Sequence, residues 1–264
     1  MDSLKISLLE KTGHDYGFEH VLSANSQAVC LASARHPTRV TVTDTADGWY
    51  QVYFETTSAT LLGELARSFP QWTSADGHFL IAGNLELAAL LLRAASLSRA
   101  LPNQVAHRYE DAVNEELAAL QSGSLHTEVE RLVRQRIGQQ KFREAMLTYW
   151  GGACAVTGLA VPDVLRASHA KPWAECGSDV ERMDVFNGFL LTANLDALFD
   201  RFLISFDTQG CLLLSPALAA ADLRLLAISL ELRLRWLAPE HQPYLRFHRE
   251  RLSRSTLAVS LHCS

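Results

Sequence analysis

The chain has 264 residues, of which 48% are hydrophobic and 20% charged, and its formal net charge is −5. These values are typical of a folded globular protein and exclude a disordered, collagen-like or coiled-coil chain. The length suffices for one large domain or two ordinary ones.

No apolar run reaches the length of a membrane span, because the most apolar stretch, 85–97, is interrupted by Glu86 and Arg93. The first residues lack the apolar core and the cleavage site of a signal peptide. We therefore expect a cytoplasmic protein with no membrane partner.

The first half of the chain combines strand and helix signals. Two strand-like runs, 40–43 and 49–55, flank a polar connection that ends in Asp47-Gly48, which predicts a β-hairpin. Further predicted elements are a helix over 59–69, a strand over 78–82, a helix over 85–101 and a helix over about 104–120. This order is typical of a small α+β domain.

A short polar segment, 121–124, is the predicted linker between two domains, 1–122 and 123–264. Residues 1–122 contain 8 Lys and Arg against 14 Asp and Glu, whereas 123–264 contain 16 against 15. Because an acidic domain repels phosphate, we expect the first domain to regulate, to target or to dock a protein partner. It has no residues at catalytic spacing.

A capping-box pattern at 127–130 predicts the start of the next helix. Apolar residues recur every four positions along one stripe of that helix: Val129, Val133 and Ile137. Three arginines lie off this stripe, on a solvated face or in contact with DNA: Arg131, Arg134 and Arg136. Nearer the C-terminal end, 223–237 is apolar on nearly every turn and predicts a buried or interface helix.

The segment 150–208 has the spacing of a chemical site. His169 follows a short predicted strand, 164–167, and Pro172 breaks that strand, so His169 is expected at a strand end where it can reach a ligand. Asn187-Gly188 is a turn dipeptide that leads into an apolar strand, 189–191.

Thr192 is the predicted N-cap of a helix over 193–202. On this helix Asp196 and Asp200 lie four residues apart, so both carboxylates project from one face. Such a pair can bind a hard divalent cation, or it can be two surface acids near a helix N-terminus. The spacing alone leaves both interpretations open.

The order of strand, His, loop, Asn, strand and acidic helix resembles the HNH endonuclease family. One branch has the motifs LRASHxKPW and NGxLLxxxLDxLFDxxLISF, which here read LRASHAKPW at 165–173 and NGFLLTANLDALFDRFLISF at 187–206. The segments WGGACAVTG at 150–158 and HQPYL at 241–245 also look like this branch. The resemblance covers about residues 125–252.

This resemblance implies an α+β chain, in which an N-terminal mixed α+β domain is followed by an HNH nuclease domain with a ββα-metal core and flanking helices. It implies that His169 is the general base, that Asn187 braces the loop carrying it, and that Asp196 is a metal ligand. Asp200 and Ser168 are further candidate ligands. Neighbouring cations are candidates for binding DNA phosphates, or equally for exposed positions and salt bridges: Arg166, Lys171 and Arg201.

Two departures from the family pattern bear on the metal. Ser168 stands where many relatives have Asp or His, and Asp196 stands where they have His or Asn. Oxygen ligands favour Mg²⁺ or Mn²⁺ over ions that prefer imidazole. The five cysteines form no CxxC pair, so no structural zinc is expected.

The sequence thus predicts a metal-dependent endonuclease that hydrolyses DNA, expected to be double-stranded. Family context favours a role in bacterial restriction or phage defence. The alternative is a degenerate HNH fold that binds DNA or a protein without cleavage. A homo-oligomer is compatible with either interpretation.

Overall fold

The structure is a computed structural model that describes residues 1–45, 47–102, 104–119, 127–254 and 259–260. The chain forms two compact units, Met1–Gln104 and Val105–Ser264. The mixture of helices and strands confirms the α+β class. Within the described ranges, no helix has both the length and the apolar composition needed to cross a membrane.

The first unit is an antiparallel sheet with helices. Its elements are α1 (Ser3–Asp15), β1 (His20–Ala24), β2 (Ala28–Ala32), β3 (Arg39–Asp44), β4 (Tyr50–Glu55), α2 (Leu61–Ser68), β5 (Phe79–Ile81) and α3 (Asn84–Ala100). The strands pair in the order β1-β2-β3-β4-β5. The predicted hairpin is β3–β4, and the predicted strand and helices are β5, α2 and α3.

The core of this unit follows from alternation along the strands. Val29, Val42, Val52 and Phe79 are successive cross-strand partners, and all four are buried. Side chains at every second position of a strand point to one face, so this row forms the buried face of the sheet.

The second unit contains the predicted ββα arrangement. Its elements are α4 (Gln104–Ala119), α5 (Thr127–Tyr149), β6 (Leu165–His169), α6 (Asp179–Arg182), β7 (Gly188–Thr192), α7 (Ala193–Asp200), β8 (Ile204–Phe206), β9 (Leu212–Leu214), α8 (Ala220–Leu225), α9 (Gln242–Arg254) and β10 (Val259–Ser260). Strands β6 and β7 form an antiparallel hairpin, and α7 follows β7 directly. A separate sheet has the order β10-β9-β8.

The predicted linker, 121–124, lies outside the described residues, so the domain boundary expected there stays a prediction. Helix α4 was assigned to the first domain, but from Val105 onward it belongs to the second unit. Its Tyr109 is buried there and packs edge-on against Trp173. Four acidic residues counted with the first domain therefore lie in the second unit: Glu110, Asp111, Glu115 and Glu116.

Helix α5 buries part of its predicted stripe. Val133 and Ile137 are buried, whereas Val129 is exposed. The three arginines that flank the stripe form ion pairs with Glu128, Glu130 and Glu116. Of the two interpretations of these arginines, the solvated face is the one that the ion pairs support.

The helix predicted over 223–237 is wrong beyond its first turn. Helix α8 ends at Leu225, which is exposed, and Ala227 has a positive φ of 54°. The following backbone hydrogen-bonds to other segments, since Leu234 N donates to Gly210 O and Arg235 N donates to Ala155 O. The apolar residues of this stretch therefore lie on turns and irregular chain, not on a helix.

Aromatic packing holds the hairpin. Trp150 is buried and stacks on Trp236 with ring centroids 4.2 Å apart, and it also contacts Phe189 of β7. His248 is buried and stacks on Phe199 of α7 at 3.8 Å. These ring contacts stabilise the hairpin and α7 by packing.

Candidate active site

His169 is the last residue of β6, at the strand end where the sequence places it. Its ring stacks on Phe142 of α5 with centroids 3.8 Å apart, and its Nε2 lies 2.9 Å from the carbonyl oxygen of Arg182. A carbonyl only accepts hydrogen bonds, so Nε2 carries the hydrogen and Nδ1 keeps its lone pair. Burial lowers the pKa of His169 to about 4, which keeps the imidazole neutral at pH 7.

Asn187 is fully buried directly before β7 and braces the loop that follows His169. Its Oδ1 accepts from Lys171 N at 2.8 Å, and its Nδ2 donates to the carbonyl oxygens of Lys171 and Glu181, both at 3.2 Å. Glu181 immediately precedes Arg182. The Asn187 amide thus fixes the peptide that leads to the carbonyl bound by His169.

The Arg182 side chain holds the same loop from its other side. Its guanidinium donates to Cys176 O at 2.8 Å, to Trp173 O at 3.2 Å and to the carboxylate of Asp179 at 2.7 Å. Such anchoring on two carbonyls and a carboxylate leaves the arginine little freedom to move.

Two glycines permit close approaches around His169. Gly188 has extended backbone, and a Cβ added there would lie 2.4 Å from Ser168 O on the paired strand. The glycine of the Asn187-Gly188 dipeptide therefore serves strand packing rather than a turn. A Cβ on Gly138 of α5 would lie 2.1 Å from Cη2 of Trp173.

Ser168 and Asp196, two of the predicted ligands, are in contact. The Ser168 hydroxyl donates to Asp196 Oδ1 at 2.5 Å, which joins β6 to the first turn of α7. Asp200 lies at the end of α7 and is exposed. Thr192 is the N-cap residue of α7, as predicted, but its hydroxyl donates to the Asn194 side chain at 2.7 Å and makes no capping hydrogen bond to the helix backbone.

The comparisons with known proteins agree with this geometry. Residues 154–207 match a family model described as HNH endonuclease. This segment is the part of the chain that is similar to HNH endonucleases. The match contains β6, β7, α7 and the first strand of the additional sheet, β8, and ends before β9, so it is shorter than the resemblance over 125–252. No curated protein matches the chain.

The HNH segment and helix α5 together form a cleft of about 280 Å³. The HNH segment contributes five of the lining residues: Arg166, Ala167, His169, Trp173 and Asp196. Helix α5 contributes four: Gln135, Gln139, Phe142 and Arg143. Trp173 is partly exposed here. Among the described lining residues, neither Lys171 nor Arg201 nor Asp200 is present.

The predicted cations differ in their surroundings. The Lys171 ammonium forms a salt bridge with Glu181 at 2.6 Å, which favours the interpretation of Lys171 as a salt-bridge residue over that of a phosphate-binding residue. Arg201 follows α7 and is exposed. Arg166 is exposed and lines the cleft, where its Nη1 donates to the carbonyl oxygens of Asp163 and Leu165.

Arg143 is a cleft residue that no motif of the sequence indicates. One sequence signal points to it, because Gln135, Gln139 and Arg143 recur every four residues and so share one face of α5. The spacing does not show that this row faces the cleft, because the position of α5 depends on tertiary packing.

The oxygen atoms in this cleft fit a hard divalent cation. HNH nucleases generally use one such ion, and Mg²⁺ is commonly held by one or two carboxylates, water and substrate phosphate. Asp196 and Ser168 supply a carboxylate and a hydroxyl in contact. No three His, Cys, Asp or Glu side chains of the described ranges cluster as a cage for a metal, so water and phosphate would have to complete the coordination.

Proposed function

We propose that the chain is a metal-dependent endonuclease that hydrolyses phosphodiester bonds of double-stranded DNA, with His169 as the general base. One observation carries this proposal. The Arg182 carbonyl fixes the hydrogen on Nε2 of His169, which leaves Nδ1 as the proton acceptor of a ring that shares a cleft with Asp196. The HNH match over 154–207 supports the same reaction class.

Hydrolysis requires a water that loses its proton as it attacks phosphorus. A neutral His169 can accept that proton, and the burial that lowers its pKa to about 4 keeps it neutral. A bound phosphate anion raises this pKa, because a nearby negative charge stabilises the imidazolium. The hydrogen bond to Arg182 O holds the ring in place.

Asp196 and Ser168 are the residues that we propose to hold one Mg²⁺ or Mn²⁺ ion, with Asp200 as a further candidate. When bound, such an ion neutralises charge on the phosphorane and on the leaving oxygen. The hydrogen bond from Ser168 orients the Asp196 carboxylate beside His169.

Of the three proposed phosphate-binding residues, Arg166 is the one that lines the cleft. Arg201 could reach a phosphate only beyond the described lining of the cleft. Lys171 could bind a phosphate only after its salt bridge with Glu181 breaks.

The test is nicking of a supercoiled plasmid with Mg²⁺ or Mn²⁺ and with a chelator. His169→Gln keeps a donor for the Arg182 carbonyl but cannot accept a proton at neutral pH, so nicking should fall by about 10²–10⁴-fold. His107→Ala is the matched control, because His107 is an exposed histidine of the same unit. Equal nicking by His169→Gln and the wild type would remove His169 from the mechanism.

A second candidate function, binding of DNA or a protein without cleavage, is favoured by one observation. The Asp196 carboxylate already accepts from Ser168, and within the described chain no third ligand joins them. A chain that retards DNA in a gel but never nicks it with either ion would support this alternative.

We place this activity in the bacterial cytoplasm, in restriction or phage defence, as the sequence resemblance suggests. Cells that express the wild type should then be infected less efficiently by phage than cells that express His169→Gln. Equal infection of both would argue against a defence role and leave the nuclease proposal to the plasmid assay.

A further inference from the structure

Two arginines converge on one backbone carbonyl at the cleft. Arg143 of α5 donates from Nη1 to Leu165 O at 2.6 Å and from Nη2 to Pro162 O at 2.7 Å. Arg166 of β6 donates from Nη1 to the same Leu165 O at 2.9 Å. The shared acceptor brings the two guanidinium groups within a few ångströms of each other.

Neither arginine forms an ion pair with a carboxylate of the described residues. Both arginines bind neutral carbonyl oxygens, and no carboxylate of the described residues lies within ion-pair distance of either one. Other arginines of α5 have such partners, for example Arg131 with Glu128 and Arg134 with Glu130. Two like charges held together without a counter-charge repel each other, and an anion between them would relieve the repulsion.

Arg143 also retains hydrogen-bonding capacity. A guanidinium has five N–H donors, and the carbonyls of Leu165 and Pro162 take two of them. No acceptor for the remaining three occurs among the residues that the structure describes. A planar guanidinium anchored on one edge is suited to bidentate binding of phosphate with its other donors.

We infer that Arg143 and Arg166 form a two-arginine clamp for a phosphate of the DNA substrate, and that α5 supplies half of it. The inference rests on the proposed function, because the phosphate is that of the DNA to be cut. Both arginines line the cleft that contains His169 and Asp196, so the clamped phosphate lies at the site of cleavage or next to it. Helix α5 lies outside the segment that matches the HNH family.

The test is the salt dependence of DNA binding by the full chain. Binding of a fluorescently labelled DNA duplex is measured in chelator over a salt series for the wild type, Arg143→Gln and Arg143→Lys. Each phosphate contact contributes about 0.9 to the slope of log K against log salt, so Arg143→Gln should lower the slope by about 1. Arg143→Lys keeps the charge and should restore most of the slope.

Arg235→Gln is the matched control. Arg235 also donates to two backbone carbonyls, Trp150 O and Ala153 O, both at 2.9 Å, but it is not among the described residues that line the cleft. Its loss should leave the salt slope unchanged. A purely structural role of Arg143 would impair the Gln and Lys variants alike and leave the slope as in the wild type.

An unchanged slope for Arg143→Gln would overturn the clamp, and so would a wild type that does not bind the duplex. Plasmid nicking with Mn²⁺, measured in parallel, separates this result from the fate of the proposed function. If the wild type nicks DNA and Arg143→Gln keeps the full salt slope, the clamp is wrong and the proposed nuclease activity stands. A wild type that binds without nicking refutes the nuclease, and the slope still decides the clamp.

Discussion

Replacement of Asn187 by alanine should destabilise the second unit and disable His169 together. Three hydrogen bonds join the Asn187 amide to backbone groups: Lys171 N, Lys171 O and Glu181 O. A typical buried hydrogen bond contributes about 1 kcal/mol, so their removal should lower the free energy of unfolding by about 3 kcal/mol. That is a large part of the ~5–15 kcal/mol that stabilises an ordinary domain.

The effect on activity should exceed the effect on folding. The lost bond to Glu181 O releases the peptide before Arg182, whose carbonyl orients His169. The nicking rate per folded molecule should therefore fall in the alanine variant. Asn187→Asp should be impaired as well, because a carboxylate cannot donate to the carbonyls of Lys171 and Glu181.

Urea unfolding gives the stability of each variant. Nicking is measured without urea, at a temperature at which every variant is folded. Asn194→Ala is the control, since Asn194 is an exposed asparagine on the neighbouring helix and its loss should change stability by no more than about 0.5 kcal/mol. If Asn187→Ala unfolds at the same urea concentration as Asn194→Ala, the bracing role is wrong. If it is destabilised but nicks normally when folded, the link from Asn187 to His169 is wrong.

Three further predictions address the metal, the pH dependence and the packing of α5. Asp196→Ala should weaken Mn²⁺ binding more than Asp200→Ala, because only Asp196 lines the cleft with Ser168 beside it; equal calorimetric titrations would refute this. Burial lowers the pKa of His248 from 6.5 to about 4, so the stability that the neutral imidazole contributes should be complete above pH 6.5 and fall by about 3 kcal/mol towards pH 4. In urea unfolding, a His248→Gln variant should therefore show a flatter pH profile than the wild type. Gly138→Ala should lower both stability and nicking despite a gain of about 1 kcal/mol in helix propensity, because the new Cβ meets Trp173; a more stable and fully active variant would contradict the close packing.

The local elements around the site were predictable because short-range patterns determine them. Pro172 ends the strand that carries His169, and Asn187-Gly188 marks the start of the next strand. The reason for glycine at position 188 was not predictable, since it lies in a contact with Ser168 O across the hairpin. Sequence spacing identified the residue, whereas the packing that requires it depends on strand register.

Features that depend on contacts between distant parts of the sequence were harder to predict. The run 223–237 has the apolar content of a helix, yet its backbone pairs with Gly210 and Ala155, which lie far away in sequence. The charge difference between the halves depends on where the chain is divided, because the acidic residues of α4 lie in the second unit. With those acids removed from the first domain, its charge argues less strongly for a role in repelling DNA.

The position of α5 bears on how large the functional unit of this HNH domain is. The matched segment supplies His169 and Asp196, but α5 stacks Phe142 on His169 and places Arg143 at the Leu165 carbonyl. A general base needs a fixed ring, and a phosphodiester needs its charge neutralised while it reacts. In the proposed mechanism α5 contributes to both requirements, so the matched segment alone should bind DNA less tightly and react more slowly than a chain that includes this helix.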